Sequence, residues 1–344
     1  MKIRTLIVDD SPTMRAILAN LLVSESDIDI VGAAANAAEA RTMIRELDPD
    51  VITLDIEMPG MNGLEFLKKI MTLKPKPVII VSSHTGHGAD VTMRALQAGA
   101  FDCYDKSSGG DGNLLNGDNG VLARIVRLAA RHGVQRVQQP VIAQAAAEAS
   151  TTTRAVGSEP TRVIGIGAST GGVEALTRLL GQWPEDCPPT LIVQHISGAL
   201  AGALAKRLNG ISPARVKLAE ADIFLQPGHV YLAPGNERHL VVRGRERLIT
   251  KLIEGAPVSG HRPSIDALFE SIAKTASSAA TGVLLTGMGD DGARGLLAMR
   301  KAGCTTIAQD EASSVIYGMP RVANEIGAAQ QVVGLARMAQ AVFA

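Results

Sequence analysis

The chain has 344 residues, long enough for two ordinary domains that each bury a core. Lys+Arg and Asp+Glu number 34 each, a balance that argues against nucleic acid or an anionic membrane surface as partner. The apolar run after Met1 ends at Asp9, too short for a signal sequence, and no run approaches the ~18 residues of a membrane helix, so a soluble cytoplasmic protein is expected.

Ile3 to Val8, Val51 to Leu54 and Val78 to Val81 are short β-branched runs, with a weaker one at Ile28 to Val31. Between them Met14 to Leu22, Ala37 to Leu47 and Leu64 to Leu73 have the apolar spacing of helices. This alternation predicts an α/β fold, a parallel sheet with helices on both faces, in five β/α units ending near His132. Ligands of such sheets bind at the carboxyl ends of the strands. Asp9 and Asp10 follow the first strand and Asp55 the third. Like charges sharing a pocket are costly unless a cation joins them, so the cluster implies a hard metal such as Mg²⁺. Ser82 ends the fourth strand, and Lys106 follows Ala100 to Tyr104. Carboxylates, metal, hydroxyl and ammonium together can accept a phosphoryl group on Asp55 and neutralise its charge.

V-D-D-S at 8–11, L-D-I-E-M-P-G-M-N-G at 54–63, V-S-S at 81–83 and the lone Lys106 resemble a response-regulator receiver domain. The resemblance implies Asp55 as phosphoacceptor, and Mg²⁺ held by Asp10, Asp55 and the Glu57 carbonyl with Asp9 assisting. It also implies phosphoryl contacts from Ser82 and Lys106. Ser107 follows Lys106 where the family usually has Pro, and Cys103 stands at the aromatic switch position beside Tyr104. Phosphoacceptance survives both departures, which bear on how the signal is relayed.

Val121 to Gln138 has helical spacing, with Arg124, Arg127, Arg131, His132 and Arg136 on its polar side. It reads as the last receiver helix running into a connector; a membrane-surface helix is the alternative, disfavoured because interfacial aromatics are missing. Pro140 to Pro160 is rich in Ala, Ser and Thr and reads as a flexible tether. The expected division is a receiver with its connecting helix at 1–135, a linker at 136–160 and a second domain at 161–344. Residues 1–107 hold 11 basic and 15 acidic groups, net −4, and residues 161–344 hold 18 and 15, net +3, a difference that favours docking. Cys103, Cys187 and Cys304 are isolated and odd in number, which predicts reduced thiols.

Val163 to Gly172, V-I-G-I-G-A-S-T-G-G, places Ser169 between a buried strand and the helical spacing of Val173 to Leu180. Gly167 to Gly171 fits G-x-S-x-G, the sharp turn that exposes a nucleophile above a parallel sheet. A phosphate-cradling dinucleotide turn and a purely structural glycine turn remain alternatives. Strands are expected at Leu191 to Gln194, ending at His195, and at Gly282 to Leu285, ending in T-G-M-G-D-D-G, with helices at Leu200 to Leu208 and Ala293 to Ala302. Val230 to Ala233, Leu240 to Val242 and Leu248 to Leu252 suggest an inserted antiparallel ribbon. Ser169, His195 and an Asp of the 290/291 pair thus share the carboxyl edge of one sheet. That placement raises acyl transfer above nucleotide binding, because hydroxyl, imidazole and carboxylate triads are recognised by roles and geometry. His261, in H-R-P-S-I-D, opens a helix and rivals His195 as base, whereas His229 precedes a strand and His239 sits in an expected turn. The Asp290-Asp291 pair has a metal-binding alternative. Met288, in the glycine turn, could offer its backbone N–H to an oxyanion.

G-I-G-A-S-T-G-G at 165–172, V-Q-H at 193–195, H-R-P-S-I-D at 261–266, L-T-G-M-G-D-D-G at 285–292 and A-Q-D-E-A-S-S-V-I-Y-G-M-P at 308–320 are similar to the CheB family of chemotaxis methylesterases. The resemblance implies a doubly wound hydrolase domain with Ser169 as nucleophile, His195 as base, Asp291 as orienting carboxylate and the Met288 N–H in the oxyanion hole. It implies demethylation of glutamyl methyl esters, and deamidation of glutamines, on methyl-accepting chemoreceptors, with a chemotaxis histidine kinase as phosphodonor. No cofactor is implied for the second domain, and a cytoplasmic monomer without nucleic-acid binding or membrane insertion is expected. Ile-Ser-Gly-Ala after His195, and Asp290 itself, depart from the family at the cleft rim. Weighed against this are a nucleotide-dependent oxidoreductase, a transcriptional regulator lacking a clear helix-turn-helix, and a scaffold with a relic site.

Overall fold

The computed structural model describes residues 2–58, 62–82, 86–106, 118, 120–133, 162–235, 238–244 and 247–344. The tether at 140–160, the continuation of the connecting helix past 133 with Arg136, Ser107, and the proposed boundaries at 135/136 and 160/161 lie outside the described residues.

The amino-terminal sheet is built from β1 (Ile3–Val8), β2 (Ile28–Ala34), β3 (Val51–Asp55), β4 (Val78–Ser82) and β5 (Asp102–Asp105), all parallel in the order β2-β1-β3-β4-β5. β3 and β4 are buried along their whole length, as strands covered by helices on both faces must be. The covering helices are α1 (Pro12–Val23), α2 (Ala37–Leu47), α3 (Gly63–Leu73), α4 (Gly86–Gln97) and α5 (Val121–His132). Local sequence starts several of them. The Ser11 hydroxyl accepts from the Met14 N–H ahead of Pro12, and the Asn36 side chain accepts from Ala38 and Glu39 while Glu39 reaches back to the Ala35 N–H. The strand order reverses between β1 and β3, so Asp9, Asp10 and Asp55 stand at the crevice of the switch point.

The second sheet has seven strands: β6 (Val163–Ala168), β7 (Thr190–Gln194), β8 (Arg215–Leu218), β9 (His229–Leu232), β12 (Ala280–Leu284), β13 (Thr305–Gln309) and β14 (Gln331–Val333). Every pairing is parallel, in the order β14-β13-β12-β6-β7-β9-β8, with the switch point between β6 and β12. On one face lie α6 (Gly172–Leu180), α7 (Gly198–Ile211) and α11 (Leu335–Phe343); on the other α8 (Ile265–Thr275), α9 (Ala293–Lys301) and α10 (Met319–Glu325). α8 is pressed against β6. A Cβ on Gly165 would come within 2.6 Å of Ile272 and one on Gly167 within 2.3 Å of Ile265, so these glycines serve close helix packing and not a nucleotide.

The ribbon differs from expectation. β10 (His239–Arg243) and β11 (Ile249–Ile253) pair antiparallel, but the expected strand at Val230 to Ala233 is β9, a parallel member of the main sheet between β7 and β8. β9 is buried on both faces, and a buried run carries no periodicity that tells a ribbon from a central strand. His239 also departs from its expected turn: it opens β10 and is 2% exposed. Strands β8, β13 and β14 escaped the sequence reading; β8 and β14 are short edges with exposed positions and weak apolar patterns.

Candidate active site

Ser169 follows β6 in the turn that starts α6. Its N–H donates to the Thr286 carbonyl at 3.0 Å and its own carbonyl accepts from Gly172 N–H at 2.7 Å, which fixes the turn against the end of β12. Gly287 adjoins it so closely that a Cβ there would lie 2.6 Å from Ser169 Cβ. Met288 follows Gly287 in this turn, and among the described residues no backbone carbonyl takes the Met288 N–H.

His195 follows β7, and its Nδ1 stands 3.2 Å from Ser169 Oγ. Its Nε2 lies 2.8 Å from Oδ2 of Asp291, in the turn between β12 and α9. Three strand ends, β6, β7 and β12, thus bring together three residues up to 122 positions apart in the chain. Burial opposes ionisation of Asp291, which is 1% exposed, yet hydrogen bonds from His195 and from the Asp266 and Ile265 N–H groups outweigh it and hold the carboxyl below its ordinary range. An ionised Asp291 only accepts, so the imidazole proton sits on Nε2 and the Nδ1 lone pair faces the hydroxyl. The ring nitrogens face their partners in the reverse order to chymotrypsin, where Nε2 meets the serine and Nδ1 the carboxylate. Imidazole can take the hydroxyl proton and the carboxylate can stabilise the resulting cation.

The other sequence candidates fall elsewhere. His261 stacks on His195, centroids 3.7 Å apart and planes at 11°, so it lines the cleft through the face of the base and not through the hydroxyl. Burial, then the neighbouring His195, lowers its ionisation to about 4. His229 hydrogen-bonds the Pro227 carbonyl, at 3.0 Å. Asp290 is exposed while Asp291 is committed to four hydrogen bonds, which leaves no metal-binding pair there.

Ser264, Asp266 and Gln194 were missed. Gln194 Nε2 donates to the carbonyls of both Ser169 and His195, at 2.8 and 3.2 Å. Ser264 and Asp266 belong to H-R-P-S-I-D, which as sequence signals a helix start; Ser264 is the N-cap of α8 and also touches Asp291.

In the receiver, Lys106 Nζ lies 2.7 Å from Asp55 Oδ2 and 3.0 Å from Asp9 Oδ2. Asp55 Oδ1 accepts from the Glu57 N–H at 2.9 Å, and Ser82 is buried at the neighbouring strand end. Burial raises the Asp9 carboxyl against the pull of Lys106. Asp9, Asp10 and Asp55 each offer an oxygen within 4.8 Å of the others, and Lys106 offsets one of the three charges, a donor set that fits a hard divalent cation such as Mg²⁺. Tyr104 turns into the receiver core, its hydroxyl bonded to Asp118 at 2.7 Å, whereas Cys103 packs against the receiver's other apolar cluster and the one that joins α4 to the second domain, and lines the cavity that holds Ser169.

The receiver covers the Ser169 cleft. α4 packs on α6 and α7, burying Ala89 and Met93 in that same cluster, and Asp102 at the start of β5 accepts a 2.9 Å hydrogen bond from the hydroxyl of Thr170, the residue after Ser169. The cavity holding Ser169 and His195 has about 130 Å³, lined from the receiver by Phe101, Asp102 and Cys103. That is below the ~300 Å³ of ordinary ligand pockets. Cys187 and Cys304 are buried and Cys103 half-buried, none of them in a disulfide, and among the described residues no helix is long and apolar enough to cross a membrane.

Fold and site define a class: a response-regulator receiver joined to an α/β domain of serine-hydrolase type. Residues 164–342 match the CheB methylesterase family and residues 5–115 the response regulator receiver domain. A protein-glutamate methylesterase/protein-glutamine glutaminase of Agrobacterium fabrum is 48% identical over 99% of this chain and 95% of its own. One from Caulobacter vibrioides, protein-glutamate methylesterase/protein-glutamine glutaminase 1, is 49% identical over 99% and 97%. The solved CheB methylesterase catalytic domain of Thermotoga maritima is similar with a TM-score of 0.51 and 32% identity, covering 53% of this chain and 96% of that one. The chain belongs to the CheB methylesterase family and carries a receiver domain.

Proposed function

We propose that this protein hydrolyses glutamyl methyl esters on methyl-accepting chemoreceptors, with Ser169 as nucleophile. The observation that carries the reading is the Ser169–His195–Asp291 chain of hydrogen bonds at 3.2 and 2.8 Å. Ser169 Oγ attacks the ester carbonyl as His195 Nδ1 takes its proton, and the Met288 N–H offers a hydrogen bond to the oxyanion. The imidazolium returns the proton to the leaving methoxide, releasing methanol. Water then attacks the acyl-enzyme with the same base, freeing Ser169 and restoring Glu. A glutamine side chain entering the same route leaves ammonia. General-base help contributes ~10²–10⁴ in rate and each oxyanion donor ~10²–10³.

Residues 1–135 act as the receiver with its connecting helix, 136–160 as linker and 161–344 as catalytic domain, in a cytoplasmic monomer. A chemotaxis histidine kinase phosphorylates Asp55, with Ser82 and Lys106 meeting the phosphoryl oxygens. Mg²⁺ bound by Asp10, Asp55 and the Glu57 carbonyl, with Asp9 beside it, would neutralise phosphoryl charge there. The covered cleft supports a steric reading of control, in which phosphorylation shifts the domain pair away from the docked state.

Methanol release from methylated receptor membranes tests the proposal. The wild-type chain should release methanol, faster with acetyl phosphate, and Ser169→Ala should lower the rate by at least ~10³-fold. Full turnover by Ser169→Ala would overturn the reading.

A further inference from the structure

Four donors surround the buried Asp291 carboxylate. Ser264 Oγ and the Asp266 N–H reach Oδ1 at 2.8 and 2.9 Å, while the Ile265 N–H and His195 Nε2 reach Oδ2, each at 2.8 Å. The Ser264 hydroxyl is fully buried and also accepts from the Ala267 N–H at 3.3 Å. A hydroxyl has one proton, and with Ala267 filling the acceptor side that proton is committed to Asp291. The backbone of Ser264 is held from behind: its N–H donates to His239 Nδ1 at 3.2 Å, and His239 Nε2 donates to the Ala256 carbonyl at 3.1 Å. Hydrogen bonds therefore link the ribbon, through His239, Ser264, Asp291 and His195, to Ser169, with Ser264 donating both ways and Asp291 accepting both ways.

A helix cap needs only the acceptor side of this hydroxyl. The donor side does something else: with the Asp266 N–H it saturates Oδ1, so that the carboxylate presents Oδ2 to the imidazole. We propose that Ser264 is a positioning residue of the reaction, its hydroxyl fixing the orientation and charge distribution of the Asp291 carboxylate that in turn holds His195. The inference rests on the Ser169–His195–Asp291 reading above. Removing the hydroxyl takes one donor from an ionised carboxylate, leaving more charge to stabilise the His195 imidazolium. The imidazole is then less well aimed.

The experiment is a pH profile of methanol release by the full chain, on methylated receptor membranes with acetyl phosphate, for wild type and three variants. Ser264→Gly discards the hydroxyl but remains a fair N-cap, Ser264→Ala discards both functions, and Ser264→Thr keeps both. Ser264→Gly and Ser264→Ala should lower kcat roughly 10-fold, the scale of one hydrogen bond to a charged group. Both should move the acidic limb of kcat/KM to higher pH. Ser264→Thr should restore rate and limb. Should Ser264→Gly lower the melting temperature yet leave kcat and the limb in place, Ser264 is a helix cap alone and the proposal is overturned. Ser264→Gly decides if Ser264→Ala fails to fold. Ser169→Ala in the same assay separates this outcome from failure of the underlying reading, since turnover by that variant would remove the nucleophile itself.

Discussion

His261 lies flat on the imidazole of His195, and a cation there is opposed first by burial, then by the charge His195 acquires when protonated. Asp291 pulls the other way, Arg124 of the receiver adds to the opposition, and Asp290 counters it. With the folded-state value near 4 and the ordinary value at 6.5, the unfolded chain binds more protons between them. Stability tied to neutral His261 is thus complete above pH 6.5 and lost as pH falls toward 4. His261→Phe keeps an aromatic face without the titration, so its melting temperature should fall less than that of wild type between pH 7 and about 4.5. Parallel acid curves for the two proteins would refute this account.

At the level of elements, the loop after β6 and the start of β5 meet across the domain boundary. Burial raises the Asp102 carboxyl, which accepts from Thr170 one residue past Ser169. Successive β5 residues face different neighbours, since Asp102 touches the turn after Ser169, Cys103 lines the cavity between the domains and Tyr104 fills the receiver core. Asp102→Ala deletes the acceptor for Thr170 and one hydrogen bond of the docked state. Methanol release without phosphodonor should rise about 2- to 10-fold, matching the ~0.5–1.5 kcal/mol of one such bond. An unchanged basal rate would show that docking does not draw on this contact.

For the whole molecule, two sheets place their reactive groups at their own switch points, and docking brings the receiver over the hydrolase cleft. Asp55 is 3% exposed and ion-paired to Lys106 at 2.7 Å, so a new charge on it must disturb the β4–β5 edge that faces the cleft. Asp55→Asn should retain the basal rate and lose the acceleration by acetyl phosphate, and EDTA should abolish the acceleration in wild type. Undiminished activation of Asp55→Asn would place the phosphoacceptor, or the control, elsewhere.

Ser169, His195, Asp291 and the Asp9, Asp10 and Asp55 cluster were legible in the sequence because a polar residue ending a β-branched run lands on the rim of a parallel sheet. Both helix and strand periodicities held for the well-covered elements, and β9 was assigned to the wrong sheet because a run buried on both faces has no alternation to read. His239 read as a turn residue, and its burial follows from the packing of β10 against α8. The contact of Ser264 with Asp291, the clamp of Gln194 on two carbonyls and the pairing of Asp102 with Thr170 had no local signature. They depend on packing of strand on strand, helix start on turn or domain on domain, over separations of up to 68 residues. Sequence by itself determined which polar residues end the strands and the layered order of the chain, since these depend on residue chemistry and short-range periodicity. Tertiary structure alone decided which side chains orient them and what covers the cleft, because those contacts exist only once distant surfaces close.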